Sequence, residues 1–259
     1  MTDQPVLKKI DDRGVATLTL NRPHVRNALD DEMLSGLTQN VAQLARDDGV
    51  RVIVLTGAGD AFCAGTDISW MEHLAQGKPA DDARRLANTL FQLRACPKPT
   101  IARVNGAARG AGMALAIACD IAVAAEESDF ALPAVHLGAV PAVIGPFITE
   151  AMGVHQTRRY ALTGENFSAL DARRLGVVHA VSLLAQLDDT IDRFVADLIK
   201  GGPVAQKETK ALINEFGTKP VSQKTLSEAA KISAKIRKTD EAKEGLAAFI
   251  EKREPSWRR

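Results

Sequence analysis

The pattern of hydrophobic and polar residues divides the chain into an alternating first part and a helical second part. In the first part, apolar runs of strand length alternate with segments whose apolar residues recur at helical spacing. The sequence predicts strands over 15–21, 51–56, 100–104 and 120–125, and helices over 30–46, 81–95 and 113–118. Strands that alternate with helices in this way are typical of an α/β core.

From about residue 144 onward the strand pattern fades and helical spacing dominates. The sequence predicts helices over 147–152, 169–175, 187–200, 204–216 and 241–253. Gly201-Gly202-Pro203 interrupts this region, because glycine ends helices and proline suits the first helical turn. We therefore predict a core over residues 1–200 and a further helical region over 201–259. The amphipathic stretch 246–253 would suit a contact between subunits.

Composition and charge exclude several classes of protein. A net charge of +1 argues against a nucleic-acid partner, since such proteins need a clustered positive surface. The N-terminus lacks the apolar core of a signal peptide. The longest apolar run, 111–118, is too short to span a bilayer. These features predict neither a nucleic-acid nor a membrane partner, and the cysteine usage described next predicts a cytoplasmic enzyme.

The three cysteines, Cys63, Cys96 and Cys119, are odd in number and form no C-x-x-C pair. The sequence therefore predicts neither a disulfide framework nor a structural zinc site, and we expect no metal. Cys63 lies in a glycine-containing turn and could be read as a nucleophile. Because no histidine or asparagine context supports its activation, a small apolar filler is the favoured interpretation.

Two glycine-containing turns carry the candidate chemistry. They span residues 61–67 and 105–112, and each follows a predicted strand and precedes a helical segment. Such a turn directs backbone N–H groups outward near the positive end of a helix dipole, where an anionic oxygen can bind. Two of them could hold one carbonyl oxygen as negative charge develops on it, which is the chemistry of an oxyanion hole.

The second turn also matches a phosphate-binding pattern, Gly106-x-x-x-Gly110-x-Gly112, which is found in short-chain dehydrogenases. Those enzymes need a Tyr-x-x-x-Lys pair for proton transfer. The single tyrosine, Tyr160, is followed four residues later by Gly164. The dinucleotide pattern also usually opens the chain, whereas here a strand-rich segment precedes it. Nicotinamide chemistry is therefore disfavoured.

Across nearly its whole length the chain resembles the crotonase family, the enoyl-CoA hydratases and isomerases. The order and spacing of the matching segments carry the resemblance: Asn21-Arg22-Pro23, Arg26-Asn27-Ala28-Leu29, 61–67, 97–102, 105–112, 118–122, 137–141 and 245–253. Within the family, Ser69-Trp70-Met71, 141–144 and 158–163 are most similar to the methylglutaconyl-CoA and isohexenylglutaconyl-CoA hydratases.

The resemblance implies a spiral of ββα units with a C-terminal helical trimerisation region, assembled as a homotrimer or homohexamer. It implies an acyl-CoA thioester substrate and no cofactor beyond the coenzyme A that the substrate carries. The backbone N–H groups of Ala64 and Ala111 would hold the thioester oxygen. The remaining substrate-binding positions implied by the resemblance are Arg26, Ala28, Gly65, Thr66, Asp67, Ile68 and Gly110, with Phe249 and Lys252 approaching the CoA of a neighbouring subunit.

One departure from the family pattern concerns the acid–base groups. Hydratases of this family normally carry two glutamates, and this sequence has Ala114 and Ala134 at those positions. A base must then come from elsewhere, or from a carboxylate on the substrate. On an extended backbone His136 would project to the same side as Ala134, so we take it as the candidate replacement base. Asp67 and Glu150 are weaker candidates, expected to cap a helix and to lie on a helix surface respectively.

The expected function is that of an acyl-CoA enzyme that stabilises a thioester enolate, with hydration weakened or altered by the two alanines. The alternative is a non-catalytic protein that binds and carries acyl-CoA. Turnover of enoyl-CoA substrates discriminates between the two.

Overall fold

The computed structural model of the chain describes residues 4–76 and 79–258. Its strands are β1 (Val6–Ile10), β2 (Val15–Leu20), β3 (Val52–Gly57), β4 (Ala61–Cys63), β5 (Thr100–Val104), β6 (Ala107–Arg109), β7 (Ile121–Ala125), β8 (Asp129–Ala131), β9 (Phe167–Ser168) and β10 (Ala180–Ser182). Its α-helices are α1 (Asp31–Arg46), α2 (Ile68–Gln76), α3 (Pro79–Ala95), α4 (Ala111–Ala118), α5 (Gly145–Thr163), α6 (Ala169–Arg174), α7 (Leu187–Lys200), α8 (Pro203–Phe216), α9 (Gln223–Ile236) and α10 (Asp240–Ile250).

The strands form two sheets that the chain visits in turn. The larger sheet has the order β1-β2-β3-β5-β7-β10 and the smaller one the order β4-β6-β8-β9. Strands β3, β5 and β7 of the larger sheet are each followed by a short strand of the smaller sheet and then by helix. This repetition is the expected spiral of ββα units, and the predicted α/β crotonase-type fold is confirmed.

The predicted long strands and helices of the first part are present with their ends shifted by one or two residues. The sequence missed the short strands β4 and β6, which lie inside segments predicted as turns. Their three residues are too few to show a periodicity, and the parallel pairing of Ala61 with Ala107 creates them. The sequence predicted a helical segment after Asp67 without giving bounds for α2, and it missed α9. It predicted only 147–152 of the longer helix α5, which continues through a kink at Gly153.

Helix α4 explains how the core supports the second turn. All of its residues are buried, and it contacts strands of both sheets. A helix that is apolar on every side belongs in the interior, so its N-terminus is fixed by packing on all faces. The residues that open α4 are therefore held in place by the centre of the protein.

The C-terminal helices pack less deeply than the rest of the chain. Neither α8 nor α9 contains a buried residue. Leu246, Phe249 and Ile250 of α10 expose more than half of their surface. The division at residue 200 and the assembly into trimers or hexamers stay predictions. Within the described residues, no helix is both long and apolar enough to cross a membrane.

Candidate active site

The two glycine-containing turns lie directly against each other. A Cβ atom at Gly106 would be 2.0 Å from the carbonyl oxygen of Asp60, and one at Gly112 would be 2.2 Å from the carbonyl oxygen of Cys63. Both distances are far shorter than a real Cβ contact. Only glycine lets the backbone of the second turn approach the first so closely.

A third glycine joins the first turn to the start of α4. Gly65 has a φ of +106°, which L-residues rarely adopt. A Cβ at this position would lie 2.9 Å from the carbonyl oxygen of Arg109 and 3.8 Å from the amide nitrogen of Ala111. The backbone of the first turn is thus placed beside the first amide of α4.

The amide of Ala64 differs from its expected role. It donates a hydrogen bond to the carbonyl oxygen of Arg26 at 2.9 Å, so it points toward the 22–28 loop and is already satisfied. The expectation that this N–H group binds a thioester oxygen is therefore wrong. Sequence spacing alone could not show this, because the bond depends on a loop some 40 residues away.

Thr66 supplies the outward amide of this turn instead. Leu29 donates to the carbonyl oxygen of Gly65 at 2.8 Å and accepts from the amide of Asp67 at 2.9 Å. Successive N–H groups of an extended segment point to opposite sides, so the Thr66 amide faces away from Leu29. Within the described part of the chain it makes no hydrogen bond.

The amide of Ala111 is the second available donor. Ala111 is the first residue of α4, and the first amides of a helix have no partner within the helix. Its N–H group also makes no hydrogen bond to any described residue. Two residues with unpaired amides therefore lie next to Gly65, Thr66 in sequence and Ala111 in space, and Ala111 opens a buried helix.

Thr66 and Ala111 both line a cavity of about 710 Å³. Its lining includes every substrate-binding position that the sequence predicted before the C-terminal helices: Arg26, Ala28, Ala64, Gly65, Thr66, Asp67, Ile68, Gly110 and Ala111. Phe249 and Lys252 do not line it in the same chain. Contact of these two residues with the CoA of a neighbouring subunit stays a prediction. Binding of CoA by the predicted residues that line the cavity also stays a prediction.

Two buried asparagines position the first turn, and the sequence analysis missed both in this role. The amide nitrogen of Asn27 donates to the carbonyl oxygens of Ala58 and Ala61, each at 2.8 Å. The side-chain oxygen of Asn105 accepts from the amide of Gly57 at 3.1 Å. Such side chains are rarely buried unless satisfied, so each fixes one side of the loop that leads into β4. The sequence signal for these roles is a polar asparagine among apolar neighbours in each motif.

Asp67 has a structural role in the cavity wall. One carboxylate oxygen accepts from the amide of Ser69 at 3.0 Å, and the other accepts from Arg22 at 3.0 Å. Arg22 also pairs with Asp30 at 3.0 Å and donates to the carbonyl oxygen of Ala28 at 2.7 Å. The expected cap at the start of α2 is confirmed, and the carboxylate is not free to act as a base.

Alanines occupy the two positions at which the family pattern has glutamates. Ala114 lies one helical turn after Ala111 and is fully buried. Ala134 lies in a short 3₁₀ helix, Pro133–Leu137, and lines the cavity. The ionisable residues among the described lining are Arg26, Asp67 and Arg109. Arg109 forms a two-pronged ion pair with Asp129, both bonds 2.9 Å long.

His136 does not take the place expected for it. The segment is a 3₁₀ helix rather than a strand, so residues two apart do not project to one side. The Nε2 atom of His136 lies 2.8 Å from the carbonyl oxygen of Thr163, and its ring covers Gly164. His136 is not among the residues that line the cavity. The expectation that it replaces a glutamate is therefore wrong.

Glu150 and the cysteines also have structural roles. Glu150 is exposed on α5 and accepts two hydrogen bonds from Arg94, as expected for a helix surface. All three cysteines are free and buried. Burial raises the pKa of the Cys63 thiol to about 12, so it stays protonated near neutral pH. The interpretation of Cys63 as an apolar filler is confirmed. Among the described residues, no group of histidine, cysteine or carboxylate side chains is arranged to hold a metal.

A sequence profile of the enoyl-CoA hydratase/isomerase family matches residues 11–259. The chain belongs to this family. It is 32% identical to a short-chain-enoyl-CoA hydratase of Clostridium acetobutylicum over 92% of each chain. It is 34% identical to a 1,2-epoxyphenylacetyl-CoA isomerase of Escherichia coli over 95% of each chain.

Solved structures of enoyl-CoA hydratases share the same fold. The structure of an enoyl-CoA hydratase from Shewanella pealeana superimposes with a TM-score of 0.94 at 36% identity, covering 98% of this chain and 96% of that one. Members of this family bind acyl-CoA thioesters. The chain is therefore an acyl-CoA-binding enzyme, and the cavity beside the two turns is its candidate site.

Proposed function

We propose that this chain is an acyl-CoA lyase or isomerase that holds the thioester oxygen between the amides of Thr66 and Ala111. The observation that carries the proposal is the pair of unpaired amides beside Gly65 at one cavity. Both reaction classes occur among similar proteins, one a hydratase and another an isomerase.

The two amides would stabilise the enolate that forms when a base removes a proton next to the thioester, or when water adds to the β carbon. In related acyl chemistry one such donor contributes about 3–4 kcal/mol. Positions 114 and 134 carry no carboxylates, and among the described residues that line the cavity the single carboxylate, Asp67, is already paired with Arg22. Each missing acid or base lowers a rate by roughly 10²- to 10⁴-fold, so we propose that hydration is slow.

Polarisation of the carbonyl can be tested separately from turnover. A cinnamoyl-CoA thioester with an electron-donating ring substituent absorbs at longer wavelength when hydrogen bonds draw charge onto its carbonyl oxygen. We expect a red shift on binding to this protein. Binding without any shift would contradict a role for the two amides.

The missing carboxylates can be tested by restoring one of them. Ala134→Glu places a carboxylate at the cavity wall, and Ala230→Glu places the same charge on an exposed position of α9 outside the cavity as a matched control. We expect Ala134→Glu to accelerate the hydration of crotonyl-CoA and Ala230→Glu to leave it unchanged. Addition of Ala114→Glu should accelerate it further, provided that thermal unfolding shows an intact fold.

Two results would redirect the proposal. If Ala134→Glu and the double variant fold, bind thioester and remain inert, then the deficit lies outside the carboxylates. If the parent protein binds acyl-CoA more tightly than CoA but converts no enoyl-CoA, a non-catalytic carrier becomes the better description.

We further propose that α10 mediates assembly into a homotrimer or homohexamer. Its exposed Leu246, Phe249 and Ile250 form an apolar surface of the kind that protein interfaces bury. Light scattering after gel filtration should give three or six times the mass of the chain. Phe249→Asp should lower that mass, and a monomeric parent protein would contradict the proposal.

A further inference from the structure

The cavity is lined by predicted CoA-binding residues, by the two turns and by a segment without charge. Arg26, a predicted CoA-binding position, is joined to the first turn by the hydrogen bond from the amide of Ala64. The amide of Gly110, in the second turn, donates to the carbonyl oxygen of Ala131 at 2.9 Å. That bond brings the end of β8, and hence the Pro133–Leu137 helix, next to the second turn.

The segment 137–144, which begins at the last residue of this helix, contains no ionisable residue. Its side chains line the cavity together with residues of α2 and α3. The residues that we call the apolar wall are Trp70, Leu86, Leu137, Val140, Val143 and Ile144.

We infer that the acyl group of the natural thioester is bulky and uncharged, and that it packs against the apolar wall. The inference rests on the proposed function, since it assumes that the thioester oxygen lies at the two amides. It also argues against dicarboxylic acyl groups of the glutaconyl type, because their terminal carboxylate would lie against the apolar wall.

The charged residues that line the cavity support an uncharged acyl group because each of them has another assignment. Arg26 is one of the predicted CoA-binding positions. Asp67 is held by Arg22, and Arg109 is paired through two hydrogen bonds with Asp129. A carboxylate on the acyl chain would have to break the latter pair or lose its hydration without compensation.

The apolar wall also exposes surface that a bulky acyl group would cover. Leu137 is 59% exposed and Val140 is 76% exposed, although both border the cavity. Large exposed apolar side chains grouped at a cavity mark a binding surface. Each methylene of the ligand that becomes buried strengthens binding by about fourfold, from the transfer free energy of about 0.8 kcal/mol.

Calorimetric titration with unreactive saturated thioesters tests this inference. The probes are free CoA, acetyl-CoA, hexanoyl-CoA and glutaryl-CoA, the last two being of similar length. We expect hexanoyl-CoA to bind at least tenfold more tightly than acetyl-CoA, and glutaryl-CoA to bind more weakly than hexanoyl-CoA by a similar factor (about 10-fold).

A charged substitution in the apolar wall provides a second test. Val140→Asp should weaken hexanoyl-CoA binding by about tenfold and leave acetyl-CoA binding unchanged. Val221→Asp is the matched control, because Val221 is 88% exposed and lies outside the cavity. It should leave both affinities unchanged.

The outcomes separate this inference from the proposed function. If glutaryl-CoA binds as tightly as hexanoyl-CoA, or if Val140→Asp has no effect on hexanoyl-CoA, the apolar acyl group is refuted while the thioester site stands. If no thioester binds more tightly than free CoA, the thioester site is refuted and this inference falls with it.

Discussion

Gly65→Ala tests whether the two turns converge on one ligand atom. The glycine has a φ of +106°, and the added Cβ would lie 2.9 Å from the carbonyl oxygen of Arg109. Relief of this contact must move the first turn away from the start of α4, because Arg109 is held in the smaller sheet. The amides of Thr66 and Ala111 would then no longer meet the same oxygen.

The expected loss of stability follows from the backbone strain, and the expected loss of turnover follows from the lost hydrogen bond. A residue forced into such a conformation costs about 1–3 kcal/mol of stability. For a chain of this length, that corresponds to a fall of about 2–12 °C in the melting temperature. Loss of one oxyanion donor lowers turnover by about 10²- to 10³-fold.

Gly176→Ala is a closely matched control. Its φ is +81°, and its added Cβ would lie 2.8 Å from the carbonyl oxygen of Ala151, so the strain is similar. Gly176 is not among the residues that line the cavity. Differential scanning calorimetry should show comparable destabilisation of the two variants.

The red shift of the bound cinnamoyl-CoA thioester and its turnover distinguish the two glycines. We expect Gly65→Ala to lose most of the shift and Gly176→Ala to retain it. If both variants keep the full shift, the amides beside Gly65 do not bind the thioester oxygen. If both lose it equally, the effect comes from general destabilisation.

Three further predictions concern the surroundings of the cavity. Burial raises the pKa of the Cys63 thiol from 9.0 to about 12, so the thiol loses its proton at lower pH in the unfolded chain, and the free energy of unfolding falls as pH rises through that interval. Urea unfolding at about pH 8 and about pH 10 should show a smaller fall in the free energy of unfolding for Cys63→Ala than for the parent protein. His136→Gln should keep turnover within about twofold of the parent, because His136 bonds Thr163 outside the cavity, and a loss of more than about tenfold would restore it as a candidate base. Arg22→Leu leaves Asp67 without its cation, so thermal unfolding should show a loss of about 1–3 kcal/mol of stability, and titration should show a weaker affinity for acyl-CoA. Unchanged stability and affinity would refute a positioning role for Arg22.

The sequence by itself determined the fold class and predicted which segments meet at one cavity. Buried strands such as 100–104 and the all-apolar segment 111–118 have patterns that only an interior position satisfies. The glycines at 65, 106 and 112 also had local meaning, because close backbone approach requires the absence of a side chain. The family resemblance then identified which residues should line the cavity, and the structure brings most of them together.

Only the tertiary structure decided which backbone amides are free and which side chains reach the cavity. Ala64 and Thr66 lie in the same turn, but the bond from Ala64 to Arg26 crosses from one loop to another and uses up the first amide. His136 was expected beside Ala134, but the 3₁₀ helix rotates its ring toward the end of α5. Hydrogen-bond partners and local twist depend on segments distant in sequence, so spacing along the chain could not fix either of them.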